Sequence, residues 1–188
     1  MPLVLDATVG GVSANAHLTV AAAQTILDGV PNVSAWTSAS AATQAQAVVY
    51  ATTMLNVIAY QGLKFTVAQA LSWPRGGVLD PDYGQSTGAI AGYMVGEGNW
   101  GVYLDYTLIP KRVQRATAML ALEILRAGTA DVWNVDSSAN VAQKSVDVLH
   151  TTFIDPARRR YGVQIYRNVW REIQPLTMSA VSREVRRA

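Results

Sequence analysis

The sequence predicts a mainly α protein: a small helical bundle with a long β-hairpin insertion, an extended strand segment and a C-terminal arm. Three observations carry that reading. Apolar residues recur at helical spacing in separate segments, as in Ala47, Val48, Ala51, Leu55 and Ile58, and again in Val113, Ala116, Leu120 and Ile124. Trp100, Val102, Leu104, Tyr106 and Leu108 alternate with other residues, which is the period of a strand. From Gly29 to Leu63 there is no Asp, Glu, Lys or Arg. The chain has 188 residues, enough for one domain with a real core. Residues 1–175 read as that domain and 176–188 as the arm.

The elements follow in order. Thr19 can N-cap a helix through "VAAAQTILD", which Gly29 stops. Val30–Ser38, around Pro31, reads as a loop. A longer helix is expected from about Ser40 to Gln61, ended by Gly62. Thr66 and Gln69 match a capping box and predict a short helix, because Pro74 cannot continue the backbone ladder. Residues 78–108 read as the insertion, a hairpin whose turn falls near Gly96–Asn99. Ile109-Pro110 opens the third long helix with proline at its first position, and Gly128 closes it. Residues 129–154 look extended, and "SVDVLHTTF" alternates like a strand. Asp155-Pro156 restarts helical structure, and a last helix over Gln164–Gln174 places Ile165, Val169 and Ile173 on one face before Pro175 stops it.

Composition narrows the function classes. Charged residues make up 15% of the chain, few for the surface of a soluble monomer. The charge-free stretch still carries Gln44, Gln46, Thr52, Asn56 and Gln61, so it reads as buried in protein and not in lipid. The opening "MPLVLDATVGG" has no basic segment, which argues against a secretory signal. There is no cysteine, hence no disulfide framework and no thiolate chemistry. Charge is uneven along the chain: residues 1–157 carry a net −4 and residues 158–188 a net +6. A basic end on a mildly acidic body suits an anionic partner, either an acidic protein surface or nucleic acid; the plainer reading is a solubilising tail.

Motifs for catalysis or cofactors do not survive their context. "GEGNWG" (96–101) matches G-x-G-x-x-G, but a strand pattern follows it where a dinucleotide fold needs a helix. Asp80 and Asp82 in "DPDYG" begin like a calcium loop whose fifth and twelfth positions, Gly84 and Ala91, supply no side-chain ligand. His17 and His150 lack ligands at helical spacing. There is no P-loop and no nucleophile elbow, so no cofactor, metal or catalytic residue is expected. "RRRYGVQIYRNVWR" (158–171) interleaves arginines with aromatics. Such a segment can stack bases and neutralise phosphates, or it can be a surface helix with its apolar face inward.

Three strings carry a resemblance. "GVSANAHLTVAAAQTIL", "QALSWPRGG" and "IPKRVQRATAMLALEIL", in that order, resemble the head-to-tail adaptor (connector) family of tailed bacteriophages, relatives of which are often labelled DnaT-like single-stranded-DNA-binding proteins. The likeness covers about residues 4–128 and more weakly 140–175. Trp73, Pro74, Arg75 and Gly77 match a W-P-R-x-G core, and Ile109-Pro110 match the helix start. The long segment 78–108 and the basic tail depart from that family's pattern.

The resemblance implies a non-enzymatic virion protein at the neck between head and tail, made in the host bacterial cytoplasm. It implies a ring of itself, twelvefold, that joins the portal protein to a downstream tail or nozzle protein. The ring would touch genomic DNA weakly and would not engage a membrane. Trp73, Arg75, Trp100, Tyr103 and Tyr106 are then expected at subunit or tail contacts. Met178, Val181, Arg183, Val185, Arg186 and Arg187 are expected on a portal-binding arm, since Met178, Val181 and Val185 would share one face of a helix. The alternative is a soluble single-stranded-DNA-binding or replication protein, which would lose affinity steeply with salt.

Overall fold

A computed structural model describes residues 3–82, 102–128, 141–144, 151–153 and 166–178. Within them the protein is mainly helical. The helices are α1 (Val20–Leu27), α2 (Ser34–Thr37), α3 (Ala41–Asn56), α4 (Lys111–Ala127) and α5 (Arg167–Ile173). A 3-10 turn, Gln174–Leu176, follows α5. Two short antiparallel pairs complete the described elements: β1 (Leu63–Lys64) with β2 (Arg75–Gly76), and β3 (Val141–Lys144) with β4 (Thr151–Phe153).

The helix ends are set by local chemistry. Thr19 caps α1 by accepting from the Ala22 amide at 3.2 Å, and Ser40 caps α3 by accepting from Thr43 at 3.2 Å. Gly128 closes α4 with φ +67°, the left-handed conformation that glycine adopts without penalty. Pro110 proves to be the N-cap of α4, one residue before the expected position.

α4 is the axis of the bundle and packs against α1, α2, α3 and α5. Val113, Ala116, Leu120 and Ile124 are buried as their spacing predicts, and Ala47, Val48, Ala51 and Leu55 meet them from α3. The charge-free stretch thus supplies one wall of the core. Its polar groups are satisfied without charge: Trp36 Nε1 donates to Gln24 Oε1 at 2.7 Å, and Gln44 Nε2 donates to the Trp36 carbonyl at 2.9 Å. Its outer side keeps residues such as Val57 exposed.

Four expectations need correction. The loop at 30–38 contains α2, built around buried Trp36. α3 ends at Asn56, five residues before Gln61, because the Asn56 side chain accepts from the Ser72 amide and its carbonyl accepts from Ser72 Oγ at 2.7 Å. Thr66 and Gln69 open no helix. Gln69 Oε1 does accept from the Thr66 amide at 3.0 Å, but Gln69 Nε2 is drawn to the carbonyls of Leu71 and Pro74, which holds a turn. Residues 102–108 form no long strand: Leu79 bridges Tyr103, and an Asp105 turn follows. The insertion is closed at its base, where Asp80 donates to the Val102 carbonyl at 2.8 Å and Leu104 to the Val78 carbonyl at 2.9 Å. The hairpin turn at 96–99 lies outside the described residues, as does Ile165 of the last helix.

A buried polar bridge joins α3 and α4. The His17 amide donates to Thr52 Oγ1 at 3.2 Å, and His17 Nδ1 lies 3.1 Å from Thr117 Oγ1. Both threonines give their own protons to carbonyls one turn back, Val48 and Val113. Nδ1 must therefore carry the hydrogen, which leaves Nε2 an unpartnered, buried acceptor. Burial lowers the imidazole pKa to about 4, so the ring is neutral.

Candidate nucleic-acid interface

The segment after α3 builds the first part of the surface. Gly62 takes φ +69°, and a Cβ there would press on the Gly76 carbonyl and come within 2.9 Å of Val78 Cγ2. This close approach sets β1 against β2. Arg75 fixes the turn. Its guanidinium donates to four carbonyls of its own chain: Gln61 at 2.7 Å, Gly62 at 2.6 Å, Ser72 at 3.2 Å and Tyr60 at 3.3 Å. Trp73 is 1% exposed and meets Tyr60 edge to face at 5.3 Å between ring centroids. Trp73 and Arg75, two of the five residues expected at subunit or tail contacts, are thus engaged internally.

Outside this staple lies an aromatic pair. Phe65 and Tyr106 are half exposed, with centroids 5.1 Å apart and planes tilted by 33°. Tyr103 is 58% exposed, and Lys64 is exposed next to Phe65 in sequence. Exposed aromatic area of this kind is costly for a surface with no partner. Sequence reasoning found Tyr103 and Tyr106 but missed Phe65, which fell in the gap between the helix ended by Gly62 and the capping box at Thr66. Its signal was available, since it is one of only two phenylalanines and follows a lysine.

The second part is a charged face. Residues 3–82, 102–128 and 166–178 contain eight Lys or Arg and seven Asp or Glu. α4 and α5 hold six of those cations and two of those acids, a net +4, and the remainder of these residues is net −3. Glu172 of α5 reaches Arg112 at 3.7 Å and Arg115 at 3.5 Å near the start of α4. Tyr166–Val169 lie beside Met119–Arg126, so the two helices run antiparallel. Lys111 and Arg115 are exposed one turn apart on α4, and Arg167 and Arg171 are exposed one turn apart on α5. Arg112 also pairs with Asp82 and holds its carboxyl below the usual range. Tyr106, one member of the aromatic pair, precedes α4 by five residues in the sequence.

Within the 158–171 segment, Tyr166 and Trp170 pack against the core while Arg167 and Arg171 face out. The plainer packing reading therefore holds for the ring side chains described, and the arginines are left available to an anion. Leu176 is buried, Thr177 bridges Tyr60, and the Met178 amide donates to the Ala59 carbonyl at 3.0 Å. The first residues assigned to the arm are thus bonded to the body. Trp100, Val181, Arg183, Val185, Arg186 and Arg187 lie outside the described residues.

Among the described residues no helix is long and apolar enough to cross a membrane, and no cluster of acids and histidines could hold a metal. What they define is a small helical protein with an exposed aromatic pair and a cationic pair of helices. A family model described as "Putative DnaT-like ssDNA binding protein" matches residues 1–188, and the chain belongs to that family. No curated protein and no solved structure matches it. The match corrects the adaptor expectation. The family is described by single-stranded-DNA binding, and nothing supports a twelvefold neck ring, a portal or tail partner, or a portal-binding role for the arm.

Proposed function

We propose that this chain binds single-stranded DNA without catalysing a reaction on it, in a replication-related role. The observation that carries the reading is the exposed Phe65–Tyr106 pair in a chain whose α4 and α5 together carry a net +4. Single strands present base faces to aromatic rings and phosphates to cations, and they do so without a sequence requirement. A duplex hides its base faces in the stack, so the aromatic pair selects for the unpaired strand. Lys111, Arg115, Arg167 and Arg171 supply the exposed charge, and the family description agrees with this chemistry. The basic end of the sequence, net +6 over residues 158–188, adds further phosphate contacts.

The test is fluorescence anisotropy with labelled dT20 across a salt series. Four phosphates neutralised by the helical face alone give a slope of log K against log[salt] of about −3, from roughly −0.7 per contact. Phe65→Ala with Tyr106→Ala should weaken binding by about 1–3 kcal/mol per stacked base and leave that slope unchanged. Equal affinity for a duplex of the same length, or binding indifferent to salt, refutes the proposal.

A further inference from the structure

A pocket lies at the far end of the same face, between the second half of α4 and the start of α5. It has a volume of about 250 Å3. Val30, Met119, Leu122 and Val169 give it apolar walls, and Glu123, Tyr166, Asn168 and the arginines Arg126 and Arg167 give it polar groups. Arg126 ties this pocket to the loop that follows Val30. Asn32 sits at φ +60°, and Arg126 donates to its carbonyl at 2.7 Å and to the Pro31 carbonyl at 3.4 Å. Arg126 Nη1 also holds Glu123 Oε1 at 2.6 Å. Arg126 is therefore a clamp that positions both the loop and the carboxylate.

The arrangement of charge says what fits. The Glu123 carboxylate repels a phosphate placed inside, and its neighbour Arg126 is already committed to it. Arg167 is the cation left, and it is exposed. A ligand that puts an uncharged ring inside and its anion outside satisfies both. The volume is below the roughly 300–1,000 Å3 of pockets that hold drug-sized ligands, which suits one ring system. A carboxylate accepts best from two adjacent N–H donors in one plane. Among the four DNA bases only guanine offers this, through N1–H and its exocyclic amine. Cytosine has one donor followed by two acceptors on that edge, adenine one donor beside one acceptor, and thymine one donor between two carbonyls. Asn168 can donate to the guanine O6, and the Tyr166 ring supplies an aromatic wall.

We propose that this pocket receives one unpaired guanine base of the bound strand, with Glu123 reading its N1–H and amino group and Arg167 taking the adjacent phosphate. The inference rests on the single-strand reading above and adds a base preference to it. A base turned out of the strand into such a site is read on its pairing edge and held between apolar walls. Single strands make the extrusion inexpensive, because there is no pairing partner to lose.

The experiment compares labelled dT12 with the same oligonucleotide carrying one central dG or one central deoxyinosine, which lacks the exocyclic amine. The dG strand should bind about 5–100-fold tighter than dT12, the discrimination of one bidentate contact, and the inosine strand should lose most of that gain. Glu123→Gln keeps an acceptor for Arg126 but offers the base a mixed amide, so the dG-to-dT12 ratio should fall towards one. Asn168→Ala, an exposed position with no hydrogen bond of its own in the described structure, should lower the ratio independently should Glu123→Gln fail to fold. Equal binding of dG and dT12 strands by the wild type overturns the pocket assignment while leaving single-strand binding standing. Binding of free guanosine 5′-monophosphate with no dG preference in the strand overturns it in favour of a free nucleotide. No binding of any strand refutes both readings together.

Discussion

His17 makes the stability of this protein depend on pH. The ring is 2% exposed, and burial lowers its pKa from 6.5 to about 4. The unfolded chain therefore takes up a proton near pH 6.5 that the folded chain resists until about pH 4. Stability is full above 6.5 and falls as the pH drops through this interval. At about 1.36 kcal/mol per pH unit, this interval removes roughly 3 kcal/mol by pH 4. For a chain of this size each kcal/mol corresponds to about 2–4 °C, so the melting temperature should fall by roughly 6–12 °C. Asp6, Asp82 and Asp105 have carboxyls held below 3.8 by their hydrogen-bond partners, so their contribution is lost only below this window. The assay is thermal unfolding by circular dichroism from pH 7 to pH 4, wild type against His17→Leu. Leucine removes the titrating group and leaves Thr117 bonded to Val113 at 2.8 Å. The variant should lose the slope between pH 6.5 and 4, whatever its stability at pH 7. Parallel profiles for the two proteins would show that the ring is solvated or partnered, and the bridge between α3 and α4 would need another description.

Three further outcomes follow from the turn beneath the aromatic pair, and a fourth from α5. Gly62→Ala should destabilise by about 2–4 kcal/mol in urea titration, since positive φ and a clash with the Gly76 carbonyl act together. Gly77→Ala, with φ +73° but open space around it, should cost only about 1 kcal/mol, and equal losses would mean that the clash is relieved. Arg75→Lys should lose about 1–3 kcal/mol in the same assay, because one ammonium cannot reach four carbonyls spread over residues 60–72, and a neutral result would remove the staple. Arg171→Gln should flatten the salt slope for dT20 by about 0.7 and leave the melting temperature within roughly 2 °C of wild type.

Periodicity made the bundle legible. The stripes of α3 and α4 needed only residue type and spacing, and the caps Thr19, Ser40 and Gly128 are local by nature. What escaped depends on distant partners. Arg75 read as a residue able to pair across a boundary because the carbonyls of Tyr60, Gln61 and Gly62 come from another stretch. The capping box at Thr66 and Gln69 is real as a hydrogen bond and silent as a helix, since carbonyls from Leu71 and Pro74 compete for the same amide group. The cationic face was half visible: the arginines near the C-terminal end stood out, but the face is completed by Lys111 and Arg115, more than fifty residues earlier. The tail drew attention as a charge run, whereas the pocket at Glu123 and Asn168 has no signature in one dimension.

The neck that closes the insertion has a consequence for how the chain can be divided. Val78–Asp80 and Val102–Leu104 bring the two ends of the inserted segment together. α1, α2 and α3 lie wholly before this point, and α4 and α5 wholly after it. The core, however, is the packing of α3 on α4, so each half carries apolar surface that only the other covers. A cut anywhere in residues 83–101 therefore leaves two pieces that are complementary and individually incomplete. Co-expressed as 1–90 and 91–188, they should reassemble through the α3–α4 contact, which makes this protein a natural split pair whose reunion can report on whatever brings the halves together.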